Sequence, residues 1–266
     1  NERYFQLTPS ASSTDVTAGK DNVFQMCFTD PDQGVTAADY VAENGLATKV
    51  AVIYNNGDAY STGIAQGFIS QAAEVGLEVV AEQTFPDDTN TDFTVQLNAA
   101  KDGGAELVFM PIYYTPASLI LNQAKSMGYE PTFMGGDGFG SVKDYASAEE
   151  LEGSVYCSGY APGTEDVAQF EKDYCETFGV EEVPNMFAPL AYDASMIMAY
   201  GLKAAEDAGL EAGTDEYKQA VIDAIKTMDG VKGITGTYSF DSDNNPIKSV
   251  AIIELTGGEE VFKEMF

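Results

Sequence analysis

KVAVIYNNGDAYSTG, at residues 49–63, opens a run of alternating strand and helix patterns that continues to Pro162. Apolar segments typical of buried strands begin at positions 49, 77, 105, 131 and 153. The steps between these starts are 28, 28, 26 and 22 residues, about the length of one strand and one crossover helix. The sequence therefore predicts a parallel α/β sheet covered on both faces, with a ligand crevice at the carboxyl ends of its strands.

Helical spacing fills the gaps between these strands. Ile64, Phe68 and Ala72, for example, fall on one stripe of a helix. Outside the run the pattern changes, and helices dominate after Pro162. The predicted elements there are strands at 4–7, 23–28, 236–240 and 249–255, helices at 36–44, 167–178, 189–208 and 215–228, and a break at 30–34.

The charge balance excludes one class of partner. The 266 residues include 13 basic and 43 acidic side chains, a net charge of −30. Nucleic acid is therefore excluded because its phosphates need Lys and Arg, and anionic lipid is disfavoured. A solvated acidic surface is the favoured explanation, and an acidic interaction surface or adaptation to high salt stay open. No apolar run is long enough to span a membrane, and no signal peptide opens the chain, so an exported protein would have lost its signal.

Cysteine and histidine usage argues against metal and redox sites. Cys27, Cys157 and Cys175 are not closely spaced, and the chain has no histidine. These facts disfavour a zinc site or a thioredoxin-like motif, and buried thiols are favoured over a single disulfide. The commonest general base is also absent. A Rossmann-type enzyme is disfavoured because no GxGxxG follows the strand at 49–54. We expect no cofactor, no metal and no catalytic residue.

Landmarks along nearly the whole chain resemble the type I periplasmic-type solute-binding proteins of ABC importers, in the branched-chain amino acid (Leu/Ile/Val) group. The matching pieces are TPSASSTDVT (8–17), VFQMCFTDPDQG (23–34), KVAVIYNNGDAYSTG (49–63), DFTVQL (92–97), PIYYTPASLILNQAKSMGY (111–129), FMGGDGFG (133–140) and LAYDA (190–194). The resemblance implies two Rossmann-like lobes with parallel sheets that close on a small, aliphatic amino acid. A membrane permease would be the partner, at the periplasmic or extracellular face of the cell membrane. A ligand-sensing ectodomain of a receptor for amino acids or amides is the alternative.

The resemblance also implies a division of the chain. Lobe 2 is expected to be complete, at 30–161 plus 242–266. Lobe 1 is expected to be partial, at 1–29 plus 162–241, because family members carry further residues before the point matched by TPSASS. The apolar faces of the lobe 1 helices have no sheet in this chain to cover them, so we expect the chain to associate with itself.

Binding residues are expected at the strand ends. Asp137 follows the strand at 132–134 and is flanked by glycines, which allow a close approach of ligand and backbone. The resemblance assigns it to the ligand ammonium, although a turn-forming role stays open. Tyr60, Tyr113 and Tyr114 also follow strands and supply flat apolar walls with a polar tip. The resemblance places one tyrosine at 60 and another at 113 or 114.

A second group of expected residues lies near the start of the chain and before a late helix. The hydroxyl-rich turn around Ser10, Ala11 and Ser12 offers amides and a hydroxyl group to a carboxylate. The resemblance assigns these residues to the ligand carboxylate, whereas a loop or a helix cap is the alternative. Phe187 aligns loosely with a family aromatic residue that contacts the ligand side chain.

Overall fold

The computed structural model describes residues 3–87 and 89–266. Its strands are β1 (Gln6–Thr8), β2 (Val23–Gln25), β3 (Lys49–Asn55), β4 (Glu78–Phe85), β5 (Leu107–Met110), β6 (Thr132–Gly135), β7 (Val155–Ser158), β8 (Val231–Lys232), β9 (Thr237–Tyr238), β10 (Ala251–Thr256) and β11 (Glu259–Met265). Its α-helices are α1 (Asp30–Glu43), α2 (Ala59–Val75), α3 (Thr94–Gly103), α4 (Tyr114–Ser126), α5 (Ala148–Leu151), α6 (Ala168–Phe178), α7 (Phe187–Asp207) and α8 (Asp215–Lys226). The predicted α/β alternation between residues 49 and 162 is confirmed.

Contacts divide the chain into two compact units. Unit 1 comprises Asn1–Thr29 and Thr164–Ser249, and unit 2 comprises Asp30–Gly163 and Val250–Phe266. In the described part of unit 2, seven strands form one sheet in the order β11-β10-β7-β6-β5-β3-β4. Strands β3 to β7 pair in parallel, and β10 and β11 are antiparallel. Because β4 and β5 lie on opposite sides of β3, the topological switch point falls between β3 and β5.

Alternating side chains of the central strands pack on both faces of this sheet. On one face, Ile53 belongs to a buried cluster with Leu97 of α3 and Ile120 of α4. On the other face, Phe68 of α2 stacks on Phe109 of β5 with ring centroids 4.2 Å apart. Strand β5 is buried along its whole length. Unit 2 is therefore a doubly wound sheet with a dry core on each face, which holds the ends of the strands rigidly.

Unit 1 is built from helices and short strands. Strands β1 and β2 pair in parallel, and β8 and β9 form a short antiparallel pair. Gly201 lets α7 approach α8, because a Cβ atom there would lie 2.7 Å from Ile225 Cδ1. The buried Asp193 carboxylate of α7 accepts hydrogen bonds from the backbone N–H groups of Ile234 at 2.7 Å and Thr235 at 2.8 Å. Asp193 therefore fastens α7 to the turn before β9.

The division of the chain differs from the prediction at residues 162–163, which belong to unit 2, and over residues 242–249, which belong to unit 1 rather than with 30–161. The amide of Asn244 donates to the carbonyl oxygens of Lys20 and Val23, at 2.9 and 3.2 Å. Asn245 Oδ1 accepts from Gln25 Nε2 at 3.0 Å. These bonds to β2 and the loop before it hold the segment in unit 1. The change of unit comes at Val250, directly before β10.

Some elements differ from the sequence prediction for physical reasons. Residues 30–34 were predicted as a break but form the first turn of α1, where Pro31 is tolerated because its missing N–H needs no partner. The strand predicted at 236–240 is reduced to Thr237–Tyr238. Strand β11 was not predicted, since its side chains alternate between exposed and half-buried and it carries no apolar run.

Other predicted features can be placed in the described residues. Cys27 and Cys157 are buried thiols, and Cys175 is half-buried. No helix of the described chain combines the length and the apolar character that crossing a membrane requires. Within the same residues, no cluster of three or more acidic or cysteine side chains could hold a metal ion.

Candidate ligand-binding site

Predicted site residues come together at the carboxyl ends of β3, β5 and β6. Tyr60 lies in the first turn of α2, which follows β3, and Tyr113 precedes α4, which follows β5. Asp137 follows β6. The Tyr60 hydroxyl group donates a hydrogen bond of 2.7 Å to Asp137 Oδ1. The rings of Tyr60 and Tyr113 stack, with centroids 4.9 Å apart and planes 20° apart. This cluster lies beside the switch point, where α/β sheets bind ligands.

The Asp137 carboxylate is buried, and no cationic side chain of the described residues is paired with it. Its residue is only 4% exposed. Within residues 3–87 and 89–266, no Lys or Arg side chain forms an ion pair with it. A buried ionised carboxylate is costly unless a charge partner compensates it. The site is therefore electrostatically complementary to a small cation.

The pKa shifts follow from the same geometry. Burial raises the pKa of the Asp137 carboxyl above its usual value, whereas the hydrogen bond from Tyr60 and the nearby N–H groups of Gln33 and Gly138 lower it. Burial also raises the pKa of Tyr60 well above its usual value, and the neighbouring Asp137 charge raises it further. Tyr60 is therefore a neutral donor at physiological pH. A cation bound beside Asp137 would favour the ionised carboxylate and lower its pKa.

Residues that sequence reasoning missed complete the site. The fully buried Gln33 of α1 accepts a hydrogen bond from the Asp137 N–H at 3.1 Å. The Gly138 N–H donates to the Tyr60 hydroxyl oxygen at 2.7 Å. A Cβ atom at Gly138 would lie 2.7 Å from that oxygen and 3.1 Å from Tyr113 Cδ1. The sequence predicts that the glycines beside Asp137 allow a close approach of ligand and backbone, and in the structure Gly138 is required by the close approach of the two tyrosines.

Tyr114 lies outside the cluster. Its ring stacks on Tyr145, with centroids 4.7 Å apart, and packs against the hydrophobic core of unit 2. Tyr113 is 41% exposed and faces Tyr60. Of the two tyrosines that were left open by the sequence, Tyr113 is the one that belongs with Asp137. Tyr113 is the N-cap residue with an extended backbone, whereas Tyr114 is the first helical residue, so the two side chains point in different directions.

The remaining predicted residues belong to unit 1. The N–H groups of Ser10 and Ala11 donate to the Thr8 hydroxyl oxygen, at 3.4 and 3.2 Å. A ligand carboxylate would therefore compete with Thr8 for these amides. Ser12 is 7% exposed. Phe187 is half-buried at the start of α7, and its N–H donates to Asn185 Oδ1 at 3.0 Å.

Comparison with known proteins identifies the family. The sequence profile described as "Periplasmic binding protein" matches residues 2–259. The chain belongs to the periplasmic binding protein family. Its α/β architecture is that of the type I members of this family, as the similar solved structures show. The recognition made from the sequence landmarks is thereby confirmed.

Similar periplasmic binding proteins include a "Leu/Ile/Val-binding protein homolog 3" of Brucella melitensis, 29% identical over 238 residues that cover 88% of this chain and 61% of the relative. The structure of a leucine-binding protein of Thermotoga maritima has a TM-score of 0.86 at 25% identity. The match covers 99% of this chain and 73% of the Thermotoga chain. A branched-chain amino acid transporter substrate-binding protein of Streptococcus pneumoniae, solved with isoleucine, has a TM-score of 0.83 at 32% identity. The match covers 98% of this chain and 72% of the Streptococcus chain. The chain thus spans about three fifths of the length of the curated relative.

Proposed function

We propose that this protein captures a small amino acid, branched-chain or otherwise aliphatic, for an ABC importer. The observation that carries the proposal is the buried Asp137 carboxylate, which has no cation beside it among the described residues. A ligand ammonium would supply that cation, and the faces of Tyr60 and Tyr113 add cation–π attraction and apolar contact. Relatives named for binding leucine, isoleucine and valine support this choice. No bond is broken, so no residue is assigned a catalytic role.

A second group of proposed binding residues belongs to unit 1. The ligand carboxylate would bind the amides of Ser10 and Ala11 and the hydroxyl group of Ser12, in charge-assisted hydrogen bonds. Phe187 would contact the aliphatic side chain. Tyr114 is not included, because it packs against the core of unit 2. The likeness to importer proteins supports a membrane permease as partner and an extracytoplasmic location.

Calorimetry against the twenty amino acids tests this function. We expect leucine, isoleucine or valine to bind with a micromolar or lower Kd, which corresponds to about −8 kcal/mol or better. Matched controls are 4-methylpentanoate, which is leucine without its ammonium group, and 3-methylbutylamine, which lacks the carboxylate. Both are expected to bind at least about 100-fold more weakly, because each leaves a buried polar group unpaired. Binding of 4-methylpentanoate as tight as that of leucine would remove the ammonium from the proposal.

Self-association is a further part of the proposal. Tyr192, Met196 and Tyr200 form a stripe on α7 and are 47%, 56% and 44% exposed. Met196 and Tyr200 of this stripe line a largely apolar groove of about 270 Å³ in unit 1. Contiguous apolar surface of this kind favours association in water. We propose that a second copy of the chain covers it.

Sedimentation velocity at micromolar concentration and moderate salt tests this association. The wild-type chain is expected to sediment above its 28.4 kDa mass, and Met196→Lys is expected to shift it toward the monomer. Val95→Lys is the matched control, since Val95 is 74% exposed on α3 of unit 2 and is not part of the α7 stripe. A wild-type chain that sediments as a monodisperse monomer would contradict self-association.

A further inference from the structure

Helices α1 and α2 are in direct backbone contact. A Cβ atom at Gly34 of α1 would lie 2.1 Å from the Ile64 carbonyl oxygen of α2. A Cβ atom at Gly67 of α2 would lie 2.5 Å from the Pro31 carbonyl oxygen of α1. No side chain separates the two helices along this contact. Their spacing is therefore fixed by the backbone itself rather than by side chains that can change rotamer.

Each helix of this pair sends one polar side chain to the turn after β6. Gln33 of α1 accepts the hydrogen bond of the Asp137 N–H at 3.1 Å. The Tyr60 hydroxyl group of α2 accepts a hydrogen bond from the Gly138 N–H at 2.7 Å and donates one to Asp137 Oδ1. Two successive backbone amides are thus held by side chains of two helices that are in direct backbone contact. The arrangement holds Asp137 by its backbone as well as by its carboxylate.

We propose that Gln33 is a positioning residue that holds the Asp137 carboxylate in the orientation required by the ligand ammonium. Gln33 is fully buried, so it acts through Asp137 rather than on the ligand. Its side-chain oxygen accepts the Asp137 N–H, whereas its amide nitrogen is buried with no hydrogen-bond partner among the described residues, a costly arrangement that a purely structural role does not require. This inference rests on the proposed function, since it concerns the same site.

Gln33→Met tests the inference, because methionine keeps the length of the side chain and removes the amide. The matched control is Gln71→Met. Gln71 of α2 also bridges the helix pair, donating from Nε2 to Asp39 Oδ1 at 2.6 Å, and has no contact with Asp137. We expect Gln33→Met to weaken leucine binding about 10-fold, the consequence of one unsatisfied buried N–H and a misplaced carboxylate. Gln71→Met should change the affinity less than about 2-fold.

The pH profile of the affinity separates positioning from simple loss of stability. Gln33 lowers the pKa of Asp137, so its removal should move the acid limb of leucine binding to higher pH. The other titratable groups that face Asp137 are Tyr60 and Cys157, and burial raises the pKa of both, that of Cys157 to about 12. Neither titrates between pH 4 and 8, so the acid limb reports Asp137. A Gln33→Met variant of reduced Tm with wild-type affinity and an unmoved acid limb would overturn the inference.

A direct measurement separates this inference from the proposed function. The pKa of Asp137 in ligand-free protein, followed by carboxyl ¹³C NMR, is expected to be higher in Gln33→Met than in wild type. Equal values overturn the positioning role even where leucine binds normally. A wild-type protein that binds no amino acid refutes the proposed function, whereas the NMR result still decides the role of Gln33. If Gln33→Met does not fold, the same measurements are made on Gln33→Asn, whose side chain is one methylene group too short to reach Asp137.

Discussion

Replacing Asp137 by Asn is expected to weaken leucine binding by at least about 100-fold and to raise the Tm of the ligand-free protein. The affinity falls because the ligand ammonium loses its charge partner in a buried site, a change that costs about 3 kcal/mol or more. The Tm rises because the wild-type carboxylate is 4% exposed and has no cation among the described residues. A neutral amide of the same shape avoids that penalty. Binding sites are often built at such a cost in stability.

The sign of the pH dependence follows from the raised pKa of Asp137. Below its unfolded pKa of about 3.9, the group is protonated in both states and costs nothing. Above its folded pKa the buried carboxylate is ionised and lowers the stability. The difference in Tm between Asp137→Asn and the wild type should therefore grow as pH rises from the unfolded to the folded pKa of Asp137. Wild-type affinity should change in the same sense, rising with pH and being lost as pH falls through the folded pKa of Asp137.

Asp144→Asn is the control for this experiment. Asp144 is exposed in the short helix that follows Asp137 along the chain, so its substitution changes the net charge equally without touching the site. We expect its affinity and Tm to match the wild type within error. An Asp137→Asn variant that binds leucine with wild-type affinity would exclude Asp137 as the ammonium partner. A variant with both lower Tm and unchanged affinity would make the residue structural.

Replacing Gly34 by Ala is expected to lower the Tm by about 6–12 °C and to weaken ligand binding. The new Cβ atom would lie 2.1 Å from the Ile64 carbonyl oxygen and 2.5 Å from the Phe68 amide nitrogen. Both are backbone atoms, so no rotamer change can relieve the contact. Overpacking of this kind costs about 3 kcal/mol, and each kcal/mol lowers Tm by about 2–4 °C in a domain of this size. Alanine is otherwise the better helix former, which makes a loss of stability diagnostic.

The binding effect of Gly34→Ala follows from the same displacement. Moving α1 away from α2 separates Gln33 from Tyr60, the side chains that hold the turn at Asp137 and Gly138. Glu43→Ala, at the exposed end of α1, is the control and should leave both Tm and Kd unchanged. Thermal unfolding and calorimetry of the two variants give the comparison. An unchanged Tm for Gly34→Ala would show that the helices are not in the contact described.

Much of the candidate site was predictable because its acidic and aromatic side chains follow the ends of strands. Once the sheet is known to be parallel, the carboxyl ends of β3, β5 and β6 must share one edge, which brings Tyr60, Tyr113 and Asp137 together. The choice between Tyr113 and Tyr114 could not be made, because it depends on the direction of the first turn of α4. Tyr145, on which Tyr114 stacks, comes from a loop whose path carries no periodic signal.

Gln33 shows where sequence reasoning ends. Residues 30–34 contain Pro and Gly, which indicate a break locally, yet they form the first turn of α1, in which Gln33 and Gly34 are buried. The proline is accepted there because the first turn of a helix has N–H groups without partners, and Gly34 is required by the contact with α2. That second reason exists only after the helices have packed. Gln33 and Asp137 are 104 positions apart in the chain, so no local pattern connects them.

The sequence alone determined the α/β class, the order of strands and helices from residue 49 to 162, and the acid and tyrosines at the strand ends. These features depend on local periodicity and on residue type, which each segment carries by itself. Tertiary structure decided which tyrosine stacks beside Asp137, that Gln33 holds its backbone, and that residues 242–249 belong to unit 1. Such choices arise from contacts between distant segments, where close packing leaves room for only one arrangement.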